Sequence, residues 1–283
     1  MLGLIYLLTA GMAGYEICKN LLLDKKSGTG VNNLWVMLPA SFGTGVLLLT
    51  WAVYVTAWFV SVYGEKRNPL FYGNLLVLMC AVAALAAGRY RSWRRGESFF
   101  QEKTVTDKRR FLKEIVFFSV LLIFITYMMF YVFFIRDGVL YSGFTVYGDY
   151  APHTAMMRSF SLGNNFPTQY PHFGGEDVKY HFMFQFLTGN LEYLGMRIDL
   201  AYNIVSIVSL LGFLMLLYQL ALRITRKMCC GVLACIFFFF RSGAAFFKFA
   251  WEHLQAGDLL QTLSENTSFI GYTANEDWGL WNF

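Results

Sequence analysis

Apolar residues gather along the chain into six long runs, at 2–18, 34–62, 70–88, 111–135, 200–222 and 228–250. Short polar stretches separate them, apart from one long one at 136–199. A helix needs about 20 apolar residues to cross the hydrocarbon of a bilayer, and each run reaches or approaches that length. Lipid offers no partner to backbone N–H and C=O groups, so a run that crosses it must be helical. The pattern predicts an all-α, multi-pass transmembrane bundle of about six spans. Three regions follow: a three-span region at 1–110, a core at 111–250 holding the long polar stretch, and a C-terminal segment at 251–283.

Inside the polar stretch the pattern shortens. His153, Met156, Met157 and Phe160 recur at i, i+3, i+4 and i+7, which is one face of a helix. With Asp149 as N-cap, Pro152 in the first turn and Gly163 as the stop, a helix is predicted over residues 150–162. Residues 180–194, "YHFMFQFLTGNLEYL", predict a second helix lying at the membrane interface, because His181, Gln185, Asn190 and Glu192 would be costly in lipid. Pro167, Pro171, Gly174 and Gly175 predict a folded loop between the two.

Charge sets the orientation. Lys19, Lys25 and Lys26 follow the first run, and Arg89, Arg91, Arg94, Arg95, Lys103, Lys108, Arg109 and Arg110 separate the third from the fourth. The positive-inside rule assigns both loops to the cytoplasm, leaving the N-terminus and the 136–199 stretch external, in a cell membrane for which the bacterial inner membrane is the expected setting. A span at 180–194 would put Arg223, Arg226 and Lys227 outside, against that rule. Composition agrees, with 57% hydrophobic and 14% charged residues. The net charge of +5 sits in short loops, which argues for orientation in a bilayer and against nucleic acid as partner. All five cysteines fall in apolar runs, so no disulfide framework or zinc site is expected. The first run has neither a basic leader nor a cleavage pattern and is read as a retained span.

The candidate chemistry lies in the external stretch. Asp149 and His153 stand at i, i+4, Asp177 and His181 repeat that spacing, and His153, His172 and His181 are three of only four histidines. A carboxylate partly screened from water can take a proton from an incoming hydroxyl or amine, and a nearby histidine can orient it or bind a phosphate. Asp149, Glu176 and Asp177 are alternatively ligands for a divalent cation such as Mg or Mn. Plainer readings stand beside these: Asp149 as a cap, Glu176 and Asp177 as solvated loop charges, His153 and His181 as interfacial side chains. Arg241 lies about 20 Å along the last run if that helix is continuous, a depth at which an ionisable group faces a cavity or a polar partner.

The segments "GDYAPHTAMMRSFSLG", "NNFPTQYPHFGGED" and "VKYHFMFQFLTGNLEYLG" follow a hydrophobic span. In arrangement they resemble the GT-C superfamily of integral membrane glycosyltransferases, which includes protein mannosyltransferases and the aminoarabinose transferases of lipid A. The resemblance covers residues 111–250 and rests on the order of features more than on an exact motif. It implies a sugar donor carried on polyprenyl phosphate and transfer to an acceptor at the outer face by direct displacement. Asp149 would be the general base or metal-contacting carboxylate and Glu176 or Asp177 the second loop acid. Arg158, Lys179 and Arg241 would hold the lipid phosphate. Three spans precede the expected first one and the chain stops early, which implies the N-terminal part of a longer enzyme or a reduced module. Two other classes compete: a transporter or flippase-like protein built around Arg241 and the carboxylate–histidine pairs, and a noncatalytic membrane assembly subunit.

Overall fold

The computed structural model describes residues 2–22, 34–64, 68–96, 108–143, 147–239 and 245–265. Two compact units divide the chain, Met1–Leu216 and Leu217–Phe283.

The first unit holds α1 (Leu2–Leu22), α2 (Leu34–Tyr63), α3 (Pro69–Arg94) and α4 (Lys108–Val132). A hairpin of β1 (Phe133–Arg136) and β2 (Val139–Ser142) follows, then α5 (Tyr147–Ser161), α6 (Met183–Tyr193) and most of α7 (Ile198–Thr225). Among the described residues four helices, α2, α3, α4 and α7, are long and apolar enough to cross a membrane. The outward side chains of these helices are themselves apolar, with Leu47 58% and Ile123 69% exposed. So much contiguous apolar surface fits a lipid surrounding.

α1 and α2 cross at very short range. A Cβ on Gly45 would run into the Ala10 carbonyl, and one on Gly14 into the Ser41 carbonyl. In lipid, where apolar burial gives helices little reason to associate, small residues that admit backbone to backbone supply the contact. At the start of α2, Trp35 Nε1 donates to Glu114 Oε2 of α4 at 2.9 Å.

α6 is the element that closes the unit at one end. Its 11 residues extend about 16 Å, too short to span and in keeping with a surface helix. Phe186, Leu187 and Leu191 enter one core with Tyr6 of α1, Val53 of α2 and Leu70 of α3. The Gly3 N–H of α1 donates to the Leu194 carbonyl at 3.3 Å. The polar residues of α6 that lipid would penalise are met by protein. Asn190 and Asn74 of α3 exchange amide hydrogen bonds at 2.6 and 3.0 Å, and Glu192 accepts from Ser161 at 2.6 Å.

α5 begins at Tyr147, earlier than the sequence pattern predicts, so Asp149 stands inside the first turn rather than ahead of it. An acidic side chain is favourable there because the helix dipole presents its positive end. His153, Met156, Met157 and Phe160 do share a face, and the last three are buried. That face lies on α6, where the Met157 carbonyl comes so close to Gly189 that a Cβ would strike it.

The second unit contains the end of α7, α8 (Met228–Phe239), α9 (Ala245–Ala256) and α10 (Leu259–Glu265). The run predicted as a continuous sixth span therefore contains a 12-residue helix and the start of another. Arg241, between them, lies outside the described residues. His253 Nδ1 lies 2.8 Å from Asp258 Oδ1 beyond the end of α9, with the Phe249 ring packed against the imidazole.

Candidate functional site

Asp199, in the first turn of α7, fixes the base on which the site is built. Its fully buried carboxylate accepts two hydrogen bonds from Arg197, both at 2.7 Å, and one from the Ile135 N–H at 3.0 Å. One turn on, Asn203 Nδ2 donates to the Phe133 carbonyl at 2.7 Å. These bonds hold β1 against α7, and with it the buried Phe133 ring. Tyr150 of α5 stacks on Phe133 with ring centres 4.7 Å apart, and Tyr202 of α7 packs against both rings. The Tyr150 and Tyr202 phenols act on one another electrostatically. Burial, then the Tyr202 neighbour, pushes the Tyr150 phenol above its ordinary value, so it stays a neutral O–H.

On this aromatic base the exposed Asp149 projects from the first turn of α5. One turn later His153 is half-buried, and its Nδ1 lies 2.7 Å from Nε2 of the buried Gln185 of α6. With the Gln185 amide donating to Nδ1, the neutral imidazole carries its proton on Nε2. Burial lowers the His153 pKa, the Asp149 charge opposes that shift, and His181 adds to it. Asp149 and His181 therefore both lie within electrostatic reach of His153. His172 Nε2 lies 3.4 Å from the Pro152 carbonyl, which brings the loop over α5.

The other candidates are placed elsewhere. Residues 177–182 are not helical, so Asp177 and His181 are not one turn apart; Asp177 pairs with Gln169 across a turn instead. Glu176 faces Lys179 at 3.6 Å, both exposed. Arg158 is 3.4 Å from Glu192, so its charge joins α5 to α6. Among the described residues no three histidine, cysteine, aspartate or glutamate side chains converge as a ligand set. Of the three acids expected to ligate a divalent cation, Glu176 faces Lys179, Asp177 pairs with Gln169 and Asp149 stands in the first turn of α5. Tyr150, Gln185 and Tyr202 belong to the site without having been picked out as site residues. Gln185 alone carried a signal, as a polar residue in an apolar helix. No family model matches the sequence, no curated protein matches it, and no solved structure matches the fold.

Proposed function

We propose that the chain is a GT-C-like membrane glycosyltransferase with Asp149 as its general base. It would move a sugar from a polyprenyl-phosphate carrier to an acceptor at the external face, with the remaining spans of a six-span bundle completing the fold. The observation that carries this reading is an exposed carboxylate at the start of a surface helix. It stands one turn from an imidazole held from behind by a buried amide. An acid with open access beside a membrane surface suits proton abstraction from a hydroxyl that approaches from water while the donor stays in lipid.

In the step proposed, the acceptor O–H gives its proton to the Asp149 carboxylate as its oxygen bonds to the anomeric carbon. The bond from that carbon to the phosphate oxygen breaks, and the polyprenyl phosphate leaves with the electron pair. His153, with its proton on Nε2, is a neutral donor for an oxygen of the substrate, and His181 and His172 line the approach. Lys179 is the exposed cation nearest in sequence to His181 and the first candidate to meet the phosphate. No step runs through a metal.

The test is Asp149→Asn in the full chain, assayed for transfer from a polyprenyl-phosphate sugar alongside folded yield in detergent. Loss of transfer by at least about 100-fold, the scale of removing a positioned general base, with folded yield kept is the expected result. Unchanged transfer overturns the assignment.

A further inference from the structure

α1, the start of α2, the end of α3 and part of α7 line a half-open chamber of about 1090 Å³. It runs from Leu4 to Glu16 along α1, about 18 Å at the rise of a helix, which is close to the depth of one leaflet's hydrocarbon. Apart from Tyr15, Glu16, Ser41 and Arg89, every side chain lining it is apolar. Those four mark one end. The Gly14 site abuts the Ser41 backbone, while Glu16 and Arg89 both lie within electrostatic reach of the Tyr15 phenol. That end is remote from α6, which meets α1 at Gly3 and α3 at Asn74.

The chamber's chemistry selects its occupant. Water needs two to four polar partners, which apolar walls do not supply. Flexible hydrocarbon fits, and the surrounding lipid provides it. At the polar end, one cation and one anion stand together, a match for a headgroup that carries both signs. The Ser41 hydroxyl is buried, 4% exposed, and makes no hydrogen bond, leaving a donor where the ester linkage beneath a headgroup would lie.

We propose that this chamber binds one zwitterionic phospholipid, its acyl chains between α1, α2 and α7, its phosphate toward Arg89 and its ammonium toward Glu16. The site is independent of the transfer chemistry at Asp149.

The full chain, reconstituted in bilayers of equal phosphatidylethanolamine and phosphatidylglycerol and then released into detergent, is examined by native mass spectrometry and extraction of bound lipid. One phosphatidylethanolamine per chain, enriched roughly tenfold over the bulk ratio, is expected, a preference equivalent to 1.4 kcal/mol. Gly11→Leu should abolish the adduct with folded yield intact, because a Cβ at Gly11 meets nothing within 4 Å and the larger side chain grows into the chamber. Glu16→Gln should erase the preference and admit phosphatidylglycerol. The proposal is overturned if the unmodified chain carries no lipid or prefers phosphatidylglycerol, or if Gly11→Leu retains the adduct undiminished.

Discussion

His153 is set by its neighbours. Burial lowers its pKa and Asp149 pulls it back, so the imidazole should titrate below the ordinary value near 6.5. Asp149→Asn should lower the midpoint further, and His181→Ala should raise it, both read from ring-nitrogen NMR of histidine-labelled protein. The sign for stability follows. With the folded pKa below the unfolded one, the unfolded chain binds more protons between the two values, and stability rises with pH across that window. Acidification through the ordinary histidine range should therefore lower the thermal midpoint, and His153→Gln should flatten that slope. The pairing of Asp149 with His153 was legible because i, i+4 spacing acts within one helix. Gln185 was not, since its partner lies 32 residues away and only the packing of α5 on α6 brings them together. Arg158 stands beside Glu192, and Lys179 beside Glu176. The i, i+3 relation of Glu176 to Lys179 was open to reading from the start.

Hydrophobic runs predicted helices well because lipid leaves the backbone no other choice, and four of those helices have the length and apolarity to span. Less legible was how the short elements are seated, since a carbonyl meeting a glycine depends on register between segments far apart in sequence. Gly189 illustrates this. Gly189→Ala should push α5 off α6, with a stability loss of about 1–3 kcal/mol by overpacking. The altered His153 resonance should report the same displacement. The two amides joining α3 to α6 allow a second test. Asn74→Leu alone strands the buried Asn190 amide at a cost of about 1–3 kcal/mol, whereas changing both to leucine should recover part of the loss. Additive losses in that cycle would mean the amides do not interact.

For the whole molecule, the loop charges and the seating of α6 at one end of the helices give a single expectation for sidedness. In a cysteine-free background, a cysteine at the exposed Gly174 should react with a membrane-impermeant maleimide added to intact cells. One in place of the exposed Arg94, in the last turn of α3, should react only after permeabilisation. The reverse pattern would invert the topology. The bond from the Ile135 N–H to the Asp199 carboxylate closes a circuit of 64 residues whose two ends meet at one point. Insertions within that circuit leave α4 and α7 the same distance apart at its base. New segments could be spliced into the exposed turn around Gly174 without rebuilding the spans, so this loop could diversify while the membrane scaffold stayed as it is.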